Sequence, residues 1–484
     1  MSNSESPPPA SADLQTTWAF LEEGIDLVMA NTPISYAKHV ALTTAVFNYC
    51  ISSKRTAKSP ASAAFDGTAA GRRPAHGANL MGGELYKNVN QYFGTHLGGL
   101  RNQIQSLEGE ALLQYYAAEW SRYTKATSTV NHIFTHLNRH WTQRERDEGR
   151  RNVYPVDIVA LVKWKDTVFI PFQTNLVGAV LRLIDEERNG RATDQDLVKI
   201  TIDSFVALGV DDLNTNKQCL DIYKEHFEPP FIDATEKYYK SEAEIFLESH
   251  SMSDYLQKAE DRLREEEDRV KRYLNARTRE PLIGICEQIL VRERSSLIWD
   301  SFLGALESGR DEDLQRIYSL LSRIPDGLEP LQQKFEEHVV KSGLAATSKL
   351  VEAGSTAESL DLKLYVDALL AIWQKNSETI TKNFADDAGF VASLDKGCRE
   401  FANRNAATGQ SSSMSRELIV KYADLLLHEA NKLAGTGDSE PDLNRVMILF
   451  QYLEDGDSLT TLYTTALSQP TIQGVSSRVE SEPI

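Results

Sequence analysis

Residues 311–339 read DEDLQRIYSLLSRIPDGLEPLQQKFEEHV. Leu314, Ile317, Tyr318, Leu321 and Ile324 recur at steps of three and four, which gathers them into one stripe on a helix and marks that stripe for burial. Pro325 stops the helix, because it lacks the amide donor and its ring clashes with the preceding turn. Asp326 and Glu329 then bracket a new start in the manner of a capping box, each able to satisfy an otherwise unpaired amide. Leu328, Leu331 and Phe335 open the next stripe, so the segment reads as helix, tight turn, helix.

The same pattern recurs in DIVALVKWKDTVFI (157–170), LVGAVLRLIDEERNG (176–190), DQDLVKITIDSFVALG (194–209) and MSDYLQKAEDRLREEEDRVKRYLN (252–275). Helical periodicity runs from about residue 14 to 454, and no alternating run of strand length is bounded by turn signals. The expected class is all-α. With 484 residues, 41% of them hydrophobic, the chain is too long for one core and too apolar to be disordered throughout. No short helix-pair repeat appears at a fixed period, so the natural grouping is about five helices at a time, three groups in all. Within DRLREEEDRVKR (261–272) the mixed charges are expected on a solvated outer face, with Leu263, Val270 and Leu274 turned inward.

A formal net charge of -18 repels nucleic-acid phosphates and anionic membranes on average. Neither is expected as a partner. The nearest basic cluster, Lys54, Arg55, Lys58, Arg72 and Arg73, lies in an Ala-, Ser- and Gly-rich stretch read as a flexible insertion between helices. Cys50, Cys219, Cys286 and Cys398 are scattered without metal or disulfide spacing, which suits a reducing compartment. The N-terminus MSNSESPPPASADLQ has no signal-peptide pattern, and no stretch approaches the roughly 18 apolar residues of a membrane span.

Catalytic signatures are missing: there is no Gly-rich phosphate loop, no GxSxG, no HExxH and no distinctive carboxylate pair. NHIFTHLNRHW (131–141) places His132, His136 and His140 four apart. At about 100° per residue Val130, Ile133, Phe134, Leu137 and Trp141 form the core side, His132 and His136 point outward, and His140 drifts toward the core flank. A zinc site would need further ligands of fixed geometry, so no metal and no cofactor are expected. What remains is a polar helix face or a docking face. SYAKHVALTTAVFNYC (35–50) supplies a second helix for the latter, with His39, Val40, Thr43 and Phe47 along one partly apolar stripe.

VFNYC (46–50), GGELYKNVNQYF (82–93), LNRHWTQRERDEGR (137–150), ERNG (187–190), YYKSEAEIFL (238–247), YLQKAEDRLREEEDRV (255–270), LLSRIPDGLEPL (320–331), DAGFVASLDKGCREFANRN (387–405) and LNRVMILFQYLED (443–455) together resemble the N-terminal half of a cullin. The resemblance is strongest to the first cullin class, the scaffold of SCF ubiquitin ligases. It implies an elongated, curved stalk of three five-helix cullin repeats, at 14–151, 152–276 and 277–454, after a disordered 1–13 and with the flexible insertion at about 54–79. It implies a non-catalytic role in which the second and fifth helices of the first repeat grip a Skp-family adaptor carrying an F-box substrate receptor. The contacts carried over are His39, Val40, Thr43, Thr44 and Phe47 on one helix, and Asn131, Thr135, His136 and Asn138 on the other. Cytoplasm and nucleus are the implied location. After YLEDGD the sequence departs from the family pattern into a divergent tail, 455–484. The expectation is a truncated scaffold that holds the receptor end, without RING-subunit recruitment or modification by the ubiquitin-like protein. A vesicle-tethering helical rod is the alternative that helical periodicity alone leaves open.

Overall fold

The computed structural model describes residues 6–51, 82–211, 219–352, 361–408, 411–432 and 446–454. The insertion at about 54–79 with its basic residues, the first five residues and the tail 455–484 lie outside the described residues. Among the described residues the structure is helical and holds no β-strand, in agreement with the all-α reading. The chain divides into two units, residues 1–238 with 265–283, and residues 239–264 with 284–484.

The first unit contains α1 (Leu14–Met29), α2 (Tyr36–Ile51), α3 (Gly83–Ile104), α4 (Gly109–Ile133), α5 (135–147), α6 (Val156–Arg188), α7 (Gln195–Ala207) and α8 (Asp221–His226). It also takes the first half of α9 (Glu228–Ser249) and the last third of α10 (Met252–Arg272). Starts follow the rule that a short acceptor side chain satisfies the unpaired amides of a first turn. Asp13 accepts from the Thr16 amide at 2.8 Å, and Asp194 from the Leu197 amide at 3.0 Å. The core is aromatic at its centre. Trp164 lies 5.3 Å from Trp120 and 4.9 Å from Tyr123, ring to ring, and its indole donates to the Tyr116 hydroxyl at 3.2 Å.

In the second unit α11 (Arg279–Leu290, mostly in this unit) is followed by α12 (Ser295–Ser308), α13 (Asp311–Leu321), α14 (Glu329–Glu352), α15 (Leu362–Asn383), α16 (Ala388–Asn403) and α17 (Ser412–Lys432). Phe335, Phe384 and Phe390 pack as one cluster, with Phe384 and Phe390 stacked at 4.2 Å. At Gly343 an added Cβ would lie 2.3 Å from the Phe401 ring, so α14 and α16 approach closely only because that side chain is absent.

Leu314, Ile317, Leu321, Leu331 and Phe335 are buried as their spacing requires. The capping box is not formed. Asp326 adopts φ 59°, a left-handed conformation Asp tolerates in turns, and the helix begins three residues later at Glu329.

Two further expectations are corrected. The charges of α10 are not all solvated: Arg262, Glu266 and Arg269 are buried, although Leu263, Val270 and Leu274 are buried as expected. In the first unit Glu266 accepts from Arg188 Nε at 2.9 Å and also from Arg269. Arg188 reaches Thr235 at 2.8 Å, while Glu187 takes Arg272 at 2.8 Å and the Tyr273 hydroxyl at 2.9 Å. Positions 262, 266, 269 and 273 keep a four-three-four helical spacing, so a second face of this helix is buried, and its polarity hid it from a hydrophobic pattern. Secondly, α6 is long and apolar enough to cross a membrane, with a window of mean hydropathy 1.4. Its Val159, Trp164, Phe169, Leu176, Val180 and Ile184 are buried in the first unit, so the helix serves as a core element there.

Candidate functional site

The α2 helix is built to be buried on one side only. Ser35 caps its first turn by accepting from the Lys38 amide at 3.0 Å. Ala41, Leu42, Ala45, Val46, Tyr49 and Cys50 face inward. Lys38 is also drawn inward, its ammonium 4.4 Å above the Phe20 ring and 3.7 Å from Glu23. Tyr49 donates to Glu84 at 2.6 Å, tying α2 to the head of α3.

The outer side is apolar and uncovered. Tyr36 is 85% exposed, Val40 42%, Phe47 43% and Ile51 50%. At about 100° per residue these four fall within about 60° of one another, along about 22 Å of helix. Between them the Thr43 hydroxyl donates to the His39 carbonyl at 3.0 Å and the Thr44 hydroxyl to the Val40 carbonyl at 2.8 Å. Both threonines satisfy their polar atom within the helix and add methyl surface to the stripe. A row of uncovered large apolar residues on one face is the feature that separates an interaction surface from scattered exposed hydrophobes.

The second segment is irregular. The α4 helix ends at Ile133, Phe134 turns the chain with φ -91° and ψ 16°, and after Thr135–Leu137 a π-helical turn occupies Asn138–Thr142 before Gln143–Asp147 completes α5. Val130, Ile133, Phe134 and Leu137 are buried, as the spacing predicts, whereas Trp141 is only partly covered, against Tyr86 at 4.9 Å. His140 is exposed and does not drift toward the core, because the π turn slackens the winding that a regular helix would impose.

His136 links the two helices. Its ring sits edge to face with Phe47 at 4.8 Å and lies 4.4 Å from the His140 ring. Its Nε2 is shielded from solvent and has no hydrogen-bond partner, and burial, with the neighbouring His140 second, holds its pKa below the ordinary imidazole value. Among the described residues no group of three or more His, Cys, Asp or Glu side chains is placed to hold a metal ion.

The nine residues expected at the site divide. His39, Val40, Thr43, Thr44, Phe47 and His136 lie on α2 or are linked to it through Phe47. Asn131, Thr135 and Asn138 line a cleft of about 320 Å³ at the start of α6, with Arg139, Pro155, Asp157 and Ile158. There the two asparagines have intramolecular work. Asn138 donates to Asn131 at 2.7 Å and accepts from the Val156 amide at 3.1 Å, while Asn131 accepts from the Asp157 amide at 3.3 Å. Since Pro155 offers no capping side chain, this pair caps α6 from a distance. Tyr36 and Ile51 escaped the sequence reading, although each continues the stripe by one four-residue step, from Val40 and Phe47 respectively.

A family model described as the cullin alpha solenoid domain matches residues 18–483. The chain belongs to the cullin family. It is 38% identical over 480 residues to Cullin-1 of Dictyostelium discoideum, covering 98% of this chain and 61% of that relative. It is 34% identical to Cullin-1 of Schizosaccharomyces pombe, over 97% of this chain and 60% of that one, and 33% identical to Cullin-1 of Caenorhabditis elegans, over 100% and 63%. This cullin chain thus spans about three-fifths of the length of these curated relatives.

Proposed function

We propose that this cullin chain is a non-catalytic scaffold of an SCF-type ubiquitin ligase, and that the outer face of α2, with His136 of α5, docks a Skp-family adaptor carrying an F-box substrate receptor. The observation that carries the reading is the uncovered stripe Tyr36, Val40, Phe47 and Ile51. Stable interfaces have a desolvated, charge-poor centre with anchoring aromatic residues and a polar rim. Val40, Phe47 and the threonine methyls suit the centre, and His39 the rim. A scaffold of this kind promotes transfer by proximity, holding the substrate receptor at a fixed place, and needs no reactive side chain of its own. The same reading divides the chain into cullin repeats at 14–151, 152–276 and 277–454 and places it in cytoplasm and nucleus.

The test is co-elution of the purified chain with an adaptor–F-box complex in size-exclusion chromatography. Wild type is expected to co-elute, and the Val40→Asp, Phe47→Ala double variant, folded by circular dichroism, to elute alone. Retention of the adaptor by that variant at the wild-type level excludes this face.

A further inference from the structure

Imidazoles are concentrated in the two segments that form or adjoin the docking face. Four of the chain's ten histidines, His39, His132, His136 and His140, lie on α2 or in the segment 131–141. Two of them form a contact pair: the His136 and His140 rings are 4.4 Å apart, and the other side of His136 meets Phe47, a centre of the proposed interface. Protonating both rings would place two positive charges at that separation beside an apolar surface. A protonated His136 carries an N–H on both ring nitrogens, and Nε2 has no hydrogen-bond partner.

Neither imidazole is paired with a carboxylate among the described residues. On α2 the cationic side chains are His39 and Lys38, and Lys38 is turned inward over Phe20. On α4 there is His132 in the last turn, and on α5 Arg139 beside His140 and, one turn on, Arg144, which pairs with Glu148 at 2.8 Å, next to the buried Glu145, which pairs with Arg150. Glu84, the carboxylate in the first turn of α3, is held by Tyr49. Among the described residues no carboxylate forms an ion pair or hydrogen bond with either imidazole. A partner that covers Phe47 removes further water from His136, and desolvation always disfavours the charged form.

We infer that docking at this face is proton-linked, with the neutral His136–His140 pair as the form that binds and protonation of the pair releasing the partner. The inference rests on the adaptor reading above. The sign follows from linkage: the complex binds fewer protons than the free chain, so affinity declines as pH falls through the range in which the free chain takes them up. Burial already disfavours the charged form of His136 in the free chain, so its share of the decline lies on the acid side of the ordinary imidazole value.

The experiment is calorimetric titration of the whole chain with the adaptor–F-box complex from about pH 8 to about pH 5.5, bracketing the ordinary imidazole value. Circular dichroism at each pH reports whether both components stay folded. Wild-type affinity is expected to hold steady near neutrality and then weaken toward acid, by up to about tenfold per pH unit for each proton excluded. The exposed-site variant His140→Gln is expected to bind near neutrality and to show a shallower acid decline. Unchanged wild-type affinity down to the lowest pH overturns the inference while leaving the docking reading standing. An equally steep decline in His140→Gln overturns it too, since the protons would then be taken up elsewhere. No binding near pH 8 removes the docking reading and this inference together.

Discussion

Replacing Glu266 with Gln keeps the shape of a fully buried side chain and removes its charge. The side chain of Glu266 is 0% exposed, and it accepts from two guanidinium groups, Arg188 and Arg269, which are 1% and 2% exposed. Three cations, Arg188, Arg269 and Arg272, here meet three carboxylates, Asp185, Glu187 and Glu266. With Gln at 266 the cluster carries a net positive charge, and two guanidinium groups keep only a neutral amide oxygen where they shared a carboxylate. Breaking a buried pair by neutralising one partner costs about 3–5 kcal/mol. For a unit of this size that corresponds to a fall in Tm of roughly 6–20 °C. Thermal melting followed by circular dichroism reads it directly. The triple replacement Arg188→Met, Glu266→Leu, Arg269→Met removes the three fully buried charges, leaves Glu187 paired with Arg272 and leaves Asp185 41% exposed to water, so it is expected to melt above the single variant. A Glu266→Gln shift of less than about 2 °C would refute the reasoning, as would a triple variant less stable than the single one.

Two further outcomes follow from the same physics. Burial holds His96 and His338 below the ordinary imidazole value, against the pull of Glu119 and Asp26 at His96 and helped by Lys375 at His338. The unfolded chain therefore takes up protons at higher pH than the folded one, so the stability due to these groups is full above about pH 6.5 and is lost as pH falls below it. Urea midpoints are expected to drop between neutral and mildly acid pH, and His96→Gln to lessen the drop; a midpoint that rises toward acid contradicts the sign. Asn138→Ala should cost about 1 kcal/mol of stability through the lost cap of α6, with a smaller effect on adaptor affinity than Phe47→Ala; a variant of full stability and poor affinity would instead make Asn138 a partner contact.

The helices were legible because their apolar residues recur at three- and four-residue steps, as Leu314 to Leu321 shows, and that signal survives without any tertiary information. Features that depend on a second buried face were not. Arg262, Glu266 and Arg269 look like surface charges in a linear pattern, and only the arrival of Arg188 and Glu242 from other helices explains their burial. The site shows the same division. Phe47 and Val40 were readable as an apolar row, and Tyr36 and Ile51 could have been added by extending it. The π turn at 138–142 changes where His140 and Trp141 sit, and nothing in the residue types announces it. That Asn131 and Asn138 cap α6 required knowing that a helix starting at Val156 comes beside them.

Site-specific photocrosslinking reads most directly which face meets the adaptor. A photoreactive residue placed at Phe47 or at Tyr36 is predicted to form adducts with the Skp-family adaptor, whereas one at Leu297, 46% exposed in the second unit, is predicted to form none. Adducts from Leu297 equal to those from Phe47, or none from the α2 positions in a chain that retains the adaptor, would contradict the account.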